Sequence, residues 1–194
     1  MRSISTRLRW LAAIVLLASA GGLAGQALWL QAKAELAQLL ISRAWTASLA
    51  SGEPVRPWPW ADTWPVARLT DPDGGMHYVL ASTSGEALAF GPGHHPASAA
   101  PGETATVVLA GHQDSHFAFL EHLQADQDLQ VQTMQGKLFN YRVADTRVVD
   151  SRKEAMQFHQ GVAELRLVTC YPFGALTSGG PLRYVVNAWL EPTE

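Results

Sequence analysis

The sequence predicts a mainly β domain, a closed barrel or a sandwich, carried behind one N-terminal membrane helix. Three observations predict it. Residues 10–30, W-L-A-A-I-V-L-L-A-S-A-G-G-L-A-G-Q-A-L-W-L, hold no charge. After Pro54 the chain breaks into short apolar or alternating runs divided by glycine and proline turns, the signature of strands. Little helical periodicity interrupts them, and about 140 residues suffice for a single core.

The chain has 194 residues, a formal charge of −3 and only 16% charged residues. It has no basic excess of the kind nucleic-acid binding needs. There is no internal repeat and no low-complexity tract.

The uncharged run comes first. At 1.5 Å per residue it is about 31 Å long, close to a bilayer core. Trp10 and Trp29 suit its two interfaces. Arg2, Arg7 and Arg9 precede it, whereas Lys33 after it is balanced by Glu35. That asymmetry predicts a cytoplasmic N-terminus and an extracytoplasmic C-terminal domain. Ala18-Ser19-Ala20 offers the alternative of a cleavable signal peptide. The apolar run continues ten residues past Ala20 and merges into a helix-forming stretch, residues 31–49, which favours a retained anchor. The predicted division is an anchor and helical stem over 1–52 and a β domain over 53–194. An exported chain with one cysteine forms no internal disulfide, so its unpaired thiol stands out.

Pro57-Trp58-Pro59-Trp60-Ala61-Asp62-Thr63-Trp64-Pro65 follows the stem. Three tryptophans among three prolines exclude an ordinary helix or central strand. An extended segment packed on the barrel wall is expected, with a flap over a cleft as the alternative. Residues 66–69, 77–81 and 87–90 read as strands, with turns at 71–75 and 82–85 and a loop at 91–96. Residues 104–110 read as a buried strand ending in Gly111-His112. Residues 117–123 suit one or two helical turns. Residues 129–134, 138–143 and 147–149 are β-like, with Gly136-Lys137 as a hairpin turn. Ser151-Arg152-Lys153-Glu154 is a capping box before a short helix through Phe158. Residues 165–168 and 182–186 alternate as the last two strands.

The single cysteine, Cys170, stands where one of these last strands stops. The loop after it contains Pro172, Gly174, Gly179, Gly180 and Pro181. A free cysteine is often a small buried apolar residue, but chemistry collects on such loops. A nucleophilic thiol needs a base or cation beside it to form the thiolate. His112 also leaves a strand end, and Arg183 sits near the start of the next strand. Paired strands would turn thiol, imidazole and guanidinium toward one pocket. His112 and His116 form H-Q-D-S-H, which lacks the glutamate of a zinc-protease H-E-x-x-H helix, and the β approach opposes a helix there. No metal site is expected. His94 and His95 lie in a loop as solvated or structural residues, and His77, His122 and His159 read as surface or packed residues.

L-A-G-H-Q-D-S-H-F, then L-V-T-C-Y-P-F-G, then P-L-R-Y-V-V resemble the sortases. The family's T-L-x-T-C appears as R-L-V-T-C, matching at Leu167, Thr169 and Cys170 with Arg166 in place of the first threonine. G-P-G-H near residue 91 and P-G-E-T-A-T-V-V-L-A-G-H resemble the segment leading to the sortase histidine. The resemblance spans about residues 64–190. With the tryptophan/proline segment, it is nearer the proteobacterial type (class GN, marine) than the Gram-positive housekeeping type.

This resemblance implies an eight-stranded β-barrel and a membrane-anchored cysteine transpeptidase. Its substrate would be a protein with a C-terminal LPxTG-like sorting signal, passed through a thioester to an amine acceptor in the cell envelope. Cys170 would be the nucleophile, His112 the acid/base and Arg183 the oxyanion or substrate-positioning cation. Thr169 would border the site as a substrate-binding residue. Walls near Trp58, Trp60 or Phe173 would exclude water. No cofactor is implied, and the acidic residues of the family's calcium sites find no match. The Asp-Pro-aromatic lid of pilin sortases has only a loose echo at residues 60–64. Two other classes compete. A peptidoglycan L,D-transpeptidase would need an S-x-G-C motif, which Val168-Thr169-Cys170 does not supply. An anchored periplasmic β-domain that binds a partner would bury Cys170.

Overall fold

In the computed structural model, residues 6–175 and 179–192 are described. Arg2 and residues 176–178 of the loop after Cys170 lie outside the described residues. The chain divides into two compact units, Met1–Leu39 and Leu40–Glu194. Helix α1 (Thr6–Ser51) is 46 residues long. Its part in the first unit carries the uncharged run, and the helix is long and apolar enough to cross a membrane.

Residues 40–51, read from the sequence as stem, belong to the second unit. Ile41, Ala44, Trp45 and Ser48 are buried, an i, i+3, i+4, i+7 stripe facing a core. Ile41 joins a cluster with Leu80 and Ala87, against which Trp58, Tyr78 and Phe90 pack. The Tyr78 hydroxyl donates to Ser42 Oγ at 3.0 Å. Gly52, at φ +73°, closes the helix with its N–H on the Ser48 carbonyl at 2.8 Å, a left-handed ending that glycine accepts without steric cost.

Eight strands among the described residues close into a barrel. They are β1 (Pro65–Thr70), β2 (Met76–Leu80), β3 (Gly93–His94), β4 (Thr106–Ala110), β5 (Asp128–Thr133), β6 (Leu138–Asp150), β7 (Glu164–Cys170) and β8 (Leu182–Leu190). The closed order is β1-β2-β3-β4-β7-β8-β6-β5. Most neighbours are antiparallel; β2–β3 and β4–β7 are parallel. Alternate residues point inward, as pleating requires. Leu69, Val107, Leu109, Val131, Tyr141, Leu165, Leu167 and Val186 fill the interior.

Three local expectations change. The run at 87–90 is part of a short helix, α2 (Gly85–Leu88), because Ser84 Oγ caps it by accepting from the Ala87 N–H at 3.2 Å. The runs at 138–143 and 147–149 are one strand, β6, in which the register shifts between Val143 and Asp145. No helix follows Ser151. Its hydroxyl donates to the Pro181 carbonyl at 2.8 Å, and Glu154 pairs with Arg147 at 2.7 Å, so both halves of the capping box are engaged elsewhere.

Candidate functional site

The interior residues of β7, Leu165 and Leu167, put Glu164, Arg166, Val168 and Cys170 on the outer face of the barrel. The same parity on β8 puts Arg183 and Val185 outside. The antiparallel register pairs Val168 with Val185 and Cys170 with Arg183. On the other side, β4 runs parallel to β7 and pairs Ala110 with Val168. Two residues beyond that pair come His112 and Cys170. Topology alone thus gathers three strand ends from residues separated in sequence.

Specific contacts hold this junction. The Gly111 N–H donates to the Val168 carbonyl at 3.1 Å. Thr169, pointing the other way from Cys170, donates its hydroxyl to the Gly111 carbonyl at 2.7 Å. Thr169 is only 2% exposed. Its hydroxyl holds the residue before His112. Glycine is required at 111 for space: a Cβ there would fall 2.8 Å from the ring of buried Phe117.

Cys170 is half-buried, and His112 is exposed. Among the described residues no hydrogen bond joins thiol, imidazole and guanidinium. The Arg183 guanidinium turns toward its own approach loop, where Nη1 donates to the carbonyls of Gly180 at 2.6 Å and Leu182 at 2.8 Å. Its Nε and Nη2 carry no bond among the described residues. Beside Cys170, the rings of Tyr171 and Phe173 pack on Tyr184 at 6.2 and 5.2 Å. Of the three expected water-excluding residues, Phe173 thus packs on the residue that follows Arg183. Trp58 packs on Phe90 at 5.3 Å, as wall packing predicts, and Trp60 is 82% exposed.

The segment from His112 to His116 is turn rather than helix. His116 is half-buried, and its pKa falls below the usual histidine value, first through burial and then through its neighbours His77 and His112. His77 hydrogen-bonds Asp71 at 3.0 Å and stacks on Phe119 at 5.0 Å. His94 is structural, with Nε2 bonded to the Ala99 carbonyl at 2.8 Å.

A groove of about 280 Å³ runs along this outer face. Val149, Val168 and Val185 form its apolar floor, and Arg147, Arg166 and Arg183 line it with charge. Ser151, residues 154–157 and His159, between β6 and β7, form its wall. Sequence reasoning missed two of its residues. In the sequence Arg166 stands out only as a departure from a motif, and His159 reads as an ordinary surface or packed residue. Their one signal was the buried-strand position of Arg166, where a charge demands partners. It has one in Glu164, Nε to Oε1 at 2.9 Å.

Comparison with known proteins follows the same outline. Residues 69–191 match the family described as the sortase domain. Sortase D of Bacillus subtilis (strain 168) is 30% identical over 109 residues, covering 56% of this chain and 54% of its own length. The chain therefore spans about half the length of that curated relative. A Clostridium perfringens sortase D5 transpeptidase structure superposes with TM-score 0.58 at 21% identity, over 66% of this chain and 80% of that one. Sortase C-1 from Actinomyces oris gives TM-score 0.59 at 25% identity, over 66% and 74%.

Proposed function

The chain belongs to the sortase family, and from that premise we propose that it is a membrane-anchored cysteine transpeptidase acting on a C-terminal LPxTG-like sorting signal. The observation that carries this reading is the junction of β4, β7 and β8. Cys170 is in register with Arg183, and His112 and Cys170 stand two residues past a β4–β7 pair.

The chemistry follows from the residue types. The Cys170 thiolate attacks the scissile carbonyl, and the oxyanion forms beside Arg183, whose free Nε and Nη2 hydrogens can donate to it. Protonated His112 gives its proton to the departing amine as the C–N bond breaks, leaving a thioester. An acceptor amine then attacks that thioester. His112 takes the amine's proton, the C–S bond breaks and the thiolate returns. Splitting one acyl transfer into two replaces a high barrier with two lower ones, and a fixed cation at the oxyanion lowers both again. Phe173 and the valine floor keep water from the thioester, so the amine prevails.

The helix of the first unit would hold the enzyme on the inner membrane with its N-terminus cytoplasmic and its barrel in the periplasm. The partners are then a secreted protein bearing the sorting signal and an amine of the cell envelope. The tryptophan/proline segment supports the proteobacterial type within the family.

The test is covalent trapping. Incubation with a Leu-Pro-Glu-Thr-Gly peptide should add the acyl fragment to Cys170 by mass spectrometry, and hydroxylamine should release it. Cys170→Ala should form no adduct. Turnover with an unmodified, unreactive thiol would end the assignment.

A further inference from the structure

We propose, resting on the assigned reaction, that the groove reaching Arg183 takes up the sorting peptide and that Arg166 is a positioning residue that sets its wall. It stands where the family motif has a threonine, a long planar cation in the place of a small side chain. The cation has a visible structural role, because every nitrogen of the guanidinium is engaged. Nε donates to Glu164 Oε1 at 2.9 Å. Nη1 donates to the Gln157 carbonyl at 2.7 Å, and Nη2 meets His159 Nδ1 at 3.3 Å.

The network continues onto β4. Thr106 Oγ1 donates to Glu164 Oε2 at 3.0 Å and accepts from the His159 N–H at 2.8 Å. The Thr106 N–H donates to the His159 carbonyl at 3.0 Å. Residues 157–159 are thereby tied to both parallel strands of the junction.

The wall needs such a tie. Residues 154–159 adopt no regular secondary structure, and Met156 and Phe158 remain 41% and 37% exposed. A threonine at 166 could not reach the Gln157 carbonyl from the outer face of β7. Arginine can, and its planar fork serves three acceptors at once, which the single ammonium of lysine cannot match. Glu164, at 2% exposure, supplies the charge that lets this arginine stay buried.

Arg166 touches none of the reacting groups. Its loss should therefore weaken peptide binding and spare the chemical steps, because a wall that must be ordered on binding costs affinity. In the full-length protein, Arg166→Thr should raise KM for a quenched fluorescent Leu-Pro-Glu-Thr-Gly peptide about tenfold while kcat stays within about threefold. Arg166→Lys should fall between the two. Amide hydrogen exchange at residues 157–159 should quicken in Arg166→Thr while β7 stays protected. The pair Glu164→Gln with Arg166→Gln, which leaves no lone buried charge, serves if the single variants fail to fold.

Unchanged KM, or kcat falling with KM constant, in any folded variant overturns the proposal. So does unchanged exchange at 157–159, a readout independent of turnover. If none of the three variants folds, Arg166 belongs to the fold and the proposal is likewise overturned. A wild type that leaves the peptide uncut would instead fault the assigned reaction, and exchange would still decide the wall.

Discussion

Thr169 Oγ1 lies 2.7 Å from the Gly111 carbonyl oxygen and donates to it. This bond ties β7, one residue before Cys170, to the segment leaving β4, one residue before His112. Thr169→Val keeps the shape but leaves a buried carbonyl with a lost partner, at a cost of about 1–3 kcal/mol. Melting temperature should drop, and kcat should fall by about tenfold as His112 loses its fixed approach. Thr169→Ser should retain most of both. Equal kcat in the valine and serine variants would detach Thr169 from the site.

Arg183 is the residue directly across from Cys170. Arg183→Ala should lower kcat by about 10² to 10³, the usual loss for one oxyanion donor. Arg183→Lys should recover part of it, because charge survives and the fork does not. Near-wild-type turnover in Arg183→Ala would remove this arginine from the chemistry.

The helical stem is part of the barrel's own unit. Trp45 is buried, and its indole N–H has no partner among the described residues. Trp45→Ala should cost about 3 kcal/mol, the low end for a large buried ring, read from urea midpoints. A chain beginning at residue 40 should unfold at the wild-type midpoint. One beginning at residue 53 should be destabilised, having lost Ile41, Ala44 and Trp45 together.

His116 gives the fold a direction in pH. Burial, then His77 and His112, hold its folded pKa below 6.5. Between pH 6.5 and that lower value the unfolded chain binds more protons, so stability falls on acidification through this window. Asp71, bonded to His77, is the carboxylate of this group. Melting curves from pH 7.5 to 5.5 should show a shallower acid slope in His116→Gln than in the wild type. An unchanged slope would assign the sensitivity elsewhere.

Most of the barrel was legible because pleating writes itself into alternation, as at Leu165 and Leu167 or Leu182 and Tyr184. The misread pieces have local causes. A four-residue apolar run does not distinguish strand from helix, and Ser84 was the overlooked cap at 87–90. In β6 the register shift after Val143 breaks the alternation, so one strand looked like two. The Ser151 box matched a motif, but its hydroxyl answers to Pro181, a residue far along the chain. In the site, strand ends at His112 and Cys170 were visible, whereas the Cys170–Arg183 register depends on the intervening loop. The tie from Arg166 to the Gln157 carbonyl was invisible, because no spacing rule reports where an irregular connection lies.

The parallel pairing of β4 with β7 has a consequence for when the protein becomes active. His112 and Cys170 are 58 residues apart, and no local hairpin brings them together. The strand ends that carry them meet only when β4 pairs with β7, a contact between distant parts of the chain of the kind that slows folding. A partly folded chain thus displays Cys170 without the β4 end that carries His112 toward it. The fold is its own safety catch, and enzymatic competence should vanish at the same denaturant concentration as the β-sheet signal.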